Sequence, residues 1–470
     1  MTNTIGKLPL REKIGYSLGD LAANLIFQTF MTFLAFYYTD VYKVPSGAAS
    51  AIIFTGGMIG AFFNPIMGMI ADRTNTRWGK FRPWILWTSI PFGVMTVLTF
   101  TTPDFSEKGK IIYALITYML LVLVYSANNL PYAALSGVLT GNIAERNSIS
   151  SYRFVAVMVA QFIVQVLALP MVMIVGDGDK AKGFEIVMTA FAAIGVVFFI
   201  ITFLTTRERV TPKSGQVSSI KEDLGDLVRN RPWIIMLALT VLVFITLSIK
   251  GGSYVYYFKN YVDEAALTSF FNKVGVNNIK GLVSDIGFST FNAGGIIFMI
   301  VGIAFSKGMA DKYGKRDVFG ISLFLSTLFI LVFVFFPPEA VVLMFVSQIL
   351  HGFFYGLTIP LLWAMIADVA DYSEWKNNRR ATAIIFSAMI FGLKMGLSIG
   401  GAMVSGLLGI FGYDEALNVQ PDSAINGIRL LVSVVPSIPF LIGASLLFFY
   451  PINKKVEVQL ETELSERRKQ

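Results

Sequence analysis

The sequence GMIADR at residues 68–73 follows one long apolar stretch, and GMADK at residues 308–312 follows another, about half the chain further on. A second motif repeats in the same way, because Arg-Pro-Trp opens an apolar stretch at residues 82–84 and again at residues 231–233. Proline is tolerated in the first turn of a helix, so both copies are typical of a helix start. The two repeats indicate a chain built from two similar halves.

Twelve apolar segments surround these motifs, and each is long enough to cross the ~30 Å hydrocarbon layer of a membrane as a helix. Charged residues make up 14% of the 470 residues and hydrophobic residues 55%, whereas soluble chains carry about 25% charged residues. We therefore predict an all-α integral membrane protein with twelve transmembrane helices in two pseudo-symmetric six-helix bundles. The segments lie at about residues 14–39, 47–71, 83–103, 111–138, 154–176, 184–206, 233–261, 284–306, 317–337, 340–366, 383–411 and 427–451.

The longest polar stretch between segments separates six of them from the other six. We predict an N-terminal bundle at 1–206, a cytoplasmic linker at 207–232, a C-terminal bundle at 233–451 and a cytoplasmic tail at 452–470. Most lysines and arginines fall in the loops that share a side with both termini. Because cytoplasmic loops are enriched in these residues, both termini are expected to be cytoplasmic.

The composition argues against several kinds of chemistry. The chain has no cysteine and one histidine, His351, so thiolate chemistry, cysteine-based metal sites and haem ligation are not expected. A single histidine in an apolar stretch is more typical of a packed, hydrogen-bonded side chain than of a proton relay. No Walker loop or HExxH occurs, so we predict a protein that is not an enzyme, with no metal, no cofactor and no nucleic-acid partner.

Polar side chains within the apolar segments point to a binding site, because ionisable groups are costly in a membrane and are usually functional there. Asp20, Asn24 and Gln28 are spaced four residues apart and share one helix face, which must face a cavity or another helix. Lys394 lies too far inside its segment for its ammonium to reach the interface. The predicted substrate-binding residues are Asn24, Tyr125, Asn128, Asn129, Arg153, Lys250 and Lys394.

Alternatives stay open at several of these positions. The adjacent carboxamides of Asn128 and Asn129 suit the recognition of hydroxyl groups, because each amide both donates and accepts. They could instead hydrogen-bond between helices and hold the bundle together. Arg153 could extend to the interface or pair with an acid, and Asp20 could be solvated near the cytoplasmic face.

Charged loops after segments 2, 4, 8 and 10 are predicted to close the cytoplasmic side when the binding cavity opens outward. Exposed ion pairs contribute about 1 kcal/mol or less each, which suits a gate that opens in every cycle. The predicted gate residues are Asp72, Arg73, Asp311, Lys312, Asp371 and Arg379.

Two longer stretches are more specific than this general pattern, namely NPIMGMIADRTNTRWGKFRPW at residues 64–84 and ADVADYSEWKNNRR at residues 367–380. With GYSLGD at residues 15–20 and NLPY at residues 129–132, they resemble the glycoside–pentoside–hexuronide:cation symporter family of the major facilitator superfamily. The resemblance implies a monomeric carbohydrate transporter of the bacterial inner membrane, surrounded by lipids and driven by Na⁺, Li⁺ or H⁺. Two six-helix bundles would alternate the access to a central site.

The resemblance also implies roles for single residues. The family's two sugar-binding aspartates correspond here to Asn24 and Asn129, whereas its arginine and lysine are kept as Arg153 and Lys394. With two acids lost and Lys250 also present, positive charge makes an anionic sugar such as a hexuronide more plausible. A neutral glycoside or pentoside stays open, and so does a lysolipid carrier of the same fold, against which the amide and phenol groups argue.

The family's cation site has the pattern D-A-x-x-D-P, which reads GAFFNP here, so Gly60 and Asn64 stand in place of two carboxylates. A threonine near that site corresponds to Ser126. Na⁺ sites need several oxygens with negative charge close by, so the sequence argues against Na⁺ coupling. The candidate residues for binding the coupling ion are therefore Asp20, as a proton carrier, and Asn64 with Ser126, as neutral ligands. Uncoupled transport is the alternative.

Overall fold

The computed structural model describes residues 7–140, 143–209, 230–276, 282–377, 382–417 and 419–467. The chain divides into two units, Met1–Gln216 with Glu415–Asn418 and Val217–Asp414 with Val419–Gln470. Regular structure in the described ranges is helical, apart from an isolated bridge between Thr76 and Gly79.

The first unit consists of six membrane segments, one of which is interrupted. Its helices are α1 (Leu10–Phe36, extended by a π-helical turn at Tyr37–Val41), α2 (Ser46–Arg73), α3 (Arg82–Thr99), α4 (Glu107–Leu139), α5 (Ile143–Phe162, extended by a π-helical turn at Ile163–Leu167), α6 (Ala168–Val175) and α7 (Lys180–Thr205). Side-chain oxygens cap two of the starts: Ser106 accepts from Gly109 N–H before α4, and Asp179 accepts from Ala181 N–H before α7.

The second unit repeats this arrangement with a short extra helix between its first two membrane segments. Its helices are α8 (Arg231–Asn260), α9 (Glu264–Lys273), α10 (Val283–Tyr313), α11 (Lys315–Leu331), α12 (Val341–Asn377), α13 (Thr382–Ile410), α14 (Asp422–Val432), α15 (Val434–Leu446) and α16 (Lys454–Arg467). Helices α14 and α15 form one span that is interrupted at Ser433, whose backbone leaves the helical region (φ −124°, ψ −81°).

Eleven helical stretches in the described ranges are long and apolar enough to cross a membrane. Helix α3 is shorter, with 18 residues, and its apolar character is lowered by Arg82, Pro83 and Pro91. It packs against α4 and α7, and we count it as the remaining span. The prediction of an all-α integral membrane protein is confirmed.

The same helix pairs pack together in both units. In the first unit these pairs are α1 with α7, α1 with α5, α2 with α4, α3 with α4, and α3 with α7. In the second unit they are α8 with α15, α8 with α13, α10 with α12, α11 with α12, and α11 with α15. Because each pair joins equivalent spans, the two bundles are pseudo-symmetric, as the repeated motifs indicated.

The end of the tenth span differs from the sequence expectation. Helix α12 continues to Asn377, although the apolar segment ends near residue 366. Trp375 explains the difference, because its ring contacts Tyr372 and its Nε1 donates to Glu463 Oε2 of α16 at 2.6 Å. Helix α16, within the expected tail, buries Leu460 and Leu464. Packing between these two helices therefore orders a region whose many charged residues are typical of a loop.

Candidate functional site

The polar face of α1 is built as the spacing predicted. Asn24 Nδ2 donates to the main-chain oxygen of Asp20 at 2.9 Å and to Asp20 Oδ1 at 3.3 Å. One turn further on, Gln28 Oε1 accepts from Gln165 Nε2 at 3.4 Å. Gln165 lies in the π-helical turn after α5, and such turns are frequent at functional sites. The sequence reasoning missed Gln165, although a lone amide in an apolar segment was a usable signal.

Arg153 of α5 forms an ion pair with Asp20. Its Nε donates to Asp20 Oδ2 at 2.7 Å, and Asp20 is 6% exposed. The guanidinium carbon also lies 5.6 Å from the ring centroid of Tyr16 and 5.4 Å from that of Tyr132. Cation–π contacts and a carboxylate partner stabilise a charge that would otherwise be costly in the membrane. The pair therefore combines a hydrogen-bond acceptor and a donor with no net charge.

Tyr16 and Tyr132 fix the position of this ion pair. Their rings stack with centroids 4.6 Å apart, and each hydroxyl donates to the other residue's carbonyl oxygen, at 2.9 and 2.6 Å. A Cβ added at Gly19 would lie 2.6 Å from the Tyr132 ring, so this contact needs the small residue. The motifs GYSLGD and NLPY therefore meet in space and support the side chain of Arg153.

The predicted residues of α4 do not all point the same way. Asn128 is buried, and its Nδ2 donates to Thr88 Oγ1 of α3 at 2.8 Å, so its amide links two helices. The Tyr125 ring packs between Phe27 and Phe92, with both centroids 6.2 Å away. Asn129 is half-buried. Of these, Asn128 makes the kind of contact that holds a bundle together.

The predicted cation-site positions lie where α2 meets α4. Asn64 and Ser126 are both buried. A Cβ added at Gly60 would lie 3.9 Å from Ser126 Oγ, so the two helices are close at this point. The named side chains at this contact are all neutral, and the coupling-ion role considered for Asn64 and Ser126 stays a prediction.

The two predicted lysines lie in the second unit. Lys250 of α8 is buried and forms a hydrogen bond with His351 of α12, and His351 is a packed, hydrogen-bonded histidine as expected. Lys394 of α13 is half-buried, and its carbonyl oxygen accepts from the Ser398 hydroxyl at 2.8 Å. The binding role predicted for Lys250 and Lys394 stays a prediction.

The predicted gate residues are placed only in part. Arg73, Asp311 and Lys312 are exposed at the ends of α2 and α10, and Asp371 is half-buried on α12. The side chain of Asp72 and the whole of Arg379 lie outside the described residues. Their role in a gate stays a prediction.

Other ion pairs tie helix ends within the first unit, and the sequence reasoning missed them. Arg209 is held by both carboxylate oxygens of Glu12, at 2.7 and 2.8 Å, and this pairing raises the pKa of Arg209. Glu145 accepts from Lys13 Nζ at 2.9 Å and from Leu8 N–H at 3.0 Å, and these hydrogen bonds lower the pKa of Glu145. These pairs join the start of α1 to α5 and to the residues after α7.

The loop RWGKFRPW at residues 77–84 encloses the carboxylate of Glu208. The carboxylate accepts main-chain N–H groups of Lys80, Phe81 and Arg82 at 2.8–2.9 Å. These amides open α3, where a helix N-terminus favours negative charge. Gly79 has φ +110°, and a Cβ there would clash with the carboxylate. The loop therefore caps α3 with a side chain from far along the chain.

We expect Glu208→Ala to destabilise the protein by about 1–3 kcal/mol, because three main-chain donors lose a charged acceptor. Thermal unfolding in detergent measures this change. Glu107→Ala is the matched control, because Glu107 is an exposed acid in the first turn of α4, and we expect it to change stability by no more than about 0.5 kcal/mol. Equal melting temperatures for the two variants would contradict the cap.

Two apolar grooves lie away from the predicted site residues. One, of about 580 Å³, lies between α11 and α15 and is lined mostly by apolar side chains such as Phe324 and Phe448. The other lies between α3 and α7, beside Ile90 and Val94. Phe448, Ile90 and Val94 are strongly exposed, which is typical of a surface that faces lipid.

Comparison with known proteins connects this geometry to a family. The family described as MFS/sugar transport protein matches residues 15–454. The chain belongs to this family. The sequence resemblance is confirmed, and the protein is a membrane transporter and not an enzyme.

Three relatives illustrate the MFS sugar-transport family. The chain is 35% identical to the inner membrane symporter YicJ of Escherichia coli (strain K12), over 93% of this chain and 90% of that protein. It is 32% identical to the isoprimeverose transporter of Lactiplantibacillus pentosus, over 98% and 93% of the two chains. It is 30% identical to the glucuronide carrier protein homolog of Escherichia coli (strain K12), over 98% and 97%. All three alignments cover nearly the whole of both chains.

Proposed function

We propose that the protein carries a neutral glycoside or pentoside across the bacterial inner membrane by alternating access. The ion pair between Asp20 and Arg153, beside Asn24, is the observation that carries the proposal. Sugar hydroxyls both donate and accept, and this group offers a carboxylate acceptor, guanidinium donors and an amide that does both. Its place on membrane-spanning helices argues for function, because such pairs are costly there.

The charge balance favours a neutral sugar over an acidic one. The expectation of an anionic substrate rested on positive charge at Arg153, at Lys394 and at Lys250. The carboxylate of Asp20 compensates Arg153, and Lys250 is buried against His351. The relatives are named for both a sugar and a glucuronide, so their names do not decide between the two classes. The ion pair supports a neutral sugar, because the carboxylate of an acidic sugar would compete with Asp20 for the same guanidinium.

The remaining predicted roles are part of the same proposal. We assign Tyr125, Asn129 and Lys394 to further substrate contacts. The exposed charges at the ends of α2 and α10 belong to a cytoplasmic gate, with both termini on that side of the membrane. The protein acts as a monomer that contacts lipids.

Counterflow in proteoliposomes tests the transport of sugar. We expect exchange of labelled neutral glycosides and no movement of a labelled lysolipid. Asn24→Leu is expected to lower exchange about 10-fold or more, because a lost hydrogen bond to a polar ligand is worth about 1–3 kcal/mol. Thr29→Val on the same helix is the control, because the Thr29 hydroxyl donates to the Leu25 carbonyl of its own helix at 2.7 Å. Lysolipid transport without sugar exchange, or equal losses in both variants, would refute the proposal.

A further inference from the structure

Lys250 and His351 form a buried hydrogen-bonded pair in the second unit. Lys250 Nζ contacts His351 Nε2, and the two residues are 6% and 3% exposed. On the other side of the ring, His351 Nδ1 lies 2.8 Å from Ser326 Oγ and 3.1 Å from the Ser326 carbonyl oxygen. Three helices, α8, α11 and α12, therefore meet at the chain's one histidine.

The contacts favour one tautomer of the ring. The Ser326 carbonyl oxygen can only accept, which favours the hydrogen on Nδ1, and in that tautomer Nε2 directs its lone pair toward Lys250. An ammonium at Lys250 can donate to that lone pair. A second proton would place two cations side by side where the dielectric constant is low. The pair can therefore alternate between a state with no net charge and a state with one proton added.

Within the part of the chain that the structure describes, no acidic side chain is hydrogen-bonded to the pair. Neither Lys250 nor His351 contacts a carboxylate among the described residues. The titratable groups that face them are two phenols: Lys250 Nζ lies 5.4 Å from the centroid of the Tyr254 ring, and the Tyr355 ring is stacked 6.0 Å from His351. The charged residues of the neighbouring helices α13 and α14 are Lys394, Asp422 and Arg429, and the Arg429 guanidinium donates to the Val334 carbonyl oxygen. The added proton therefore has no fixed partner that would hold it permanently.

We propose that the pair of Lys250 and His351 binds the proton whose movement drives sugar transport. This inference rests on the proposed function and supplies its coupling ion. The proton is taken from water on the side of higher proton activity, held between the two nitrogens and released to water on the other side, while the sugar is unchanged. Two observations favour this site over those predicted earlier. Asp20 is already the partner of Arg153, and the contact of α2 with α4 presents neutral side chains.

Accumulation driven by a pH gradient tests the proposal in proteoliposomes. With the outside about one pH unit more acidic, the wild type should accumulate sugar up to about 10-fold at one proton per sugar. Sugar addition should also make a weakly buffered outside medium more alkaline. His351→Gln should lose both effects while keeping at least about a tenth of the wild-type counterflow. Tyr355→Phe is the matched control, because it keeps the stacked ring, and it should accumulate sugar like the wild type.

A direct measurement on the wild type does not depend on the variants folding. Histidine-selective ¹⁵N labelling gives signals from a single residue, since the chain has one histidine. Both ring nitrogen signals are expected to shift reversibly as the pH is changed, and the midpoint should change when sugar binds.

The outcomes separate this inference from the proposed function. Wild-type accumulation in His351→Gln, ring signals that do not respond to pH or sugar, or a wild type that exchanges sugar but is not driven by the pH gradient would each overturn the inference alone. A wild type that exchanges no sugar at all would overturn the proposed function and this inference together.

Discussion

Replacing Asp20 with asparagine is expected to lower sugar exchange by about 100-fold or more and to destabilise the protein by about 2–3 kcal/mol. The reason is that Arg153 keeps its charge but loses the carboxylate 2.7 Å away. Breaking a fully buried pair costs about 3–5 kcal/mol, and the smaller figure here reflects the 27% exposure of the Arg153 side chain. Counterflow and thermal unfolding in detergent measure the two effects.

A double-mutant cycle separates binding from stability. Asp20→Asn combined with Arg153→Gln removes both charges, so the stability of the double variant should return to within about 1 kcal/mol of the wild type. Its sugar exchange should stay low, because both the acceptor and the donor are gone. Asp317→Asn is the control, because the Asp317 side chain is 48% exposed and its pair with Arg316 is worth about 1 kcal/mol or less. Wild-type exchange in the double variant would show that the pair is structural only.

Valine at Gly356 is expected to destabilise the protein by about 3 kcal/mol or more. A Cβ at Gly356 would clash with the main-chain oxygen of Met299, and one at Gly352 with that of Gly295. These clashes involve backbone and not a movable side chain, so α10 and α12 would have to separate. Small residues at helix interfaces allow such close backbone contact in membranes.

Gly308→Val is the matched control for this packing. Gly308 lies on α10, the partner helix of the same contact, and a Cβ there would meet nothing within 4 Å. We expect a change of no more than about 1 kcal/mol for this variant. Size-exclusion chromatography and thermal unfolding in detergent compare the two. A folded Gly356→Val protein with the melting temperature of Gly308→Val would rule out tight packing of α10 against α12.

The sequence predicted the fold well because a membrane leaves few choices for the backbone. Long apolar segments must be helices, and the repeats at residues 68–73 and 308–312 indicated the pseudo-symmetry. The predicted ends of the helices were wrong where polar residues pack against other parts of the protein, as at Trp375 and α16. Their order comes from a contact between distant segments, which no single segment contains.

The sequence predicted the individual residues of the site but not which of them pair with each other. Asp20, Asn24 and Arg153 could be found because polar groups are rare in apolar helices. The pairing depends on which helices are neighbours and on how each helix is rotated. These two factors bring Arg153 to Asp20 and Lys250 to His351. Asn128 illustrates the second factor, because one residue along a helix turns the side chain by about 100° and directs its amide to Thr88 of α3.

The most direct test of the account compares two ligands that differ by one group. Counterflow of an alkyl glucoside and of the matching glucuronide, measured on the same proteoliposomes, asks whether the carboxylate-paired guanidinium selects an uncharged sugar. We expect the uncharged member to exchange at least about 10 times faster, since the acid would have to displace Asp20 from Arg153. Faster exchange of the glucuronide would contradict the account.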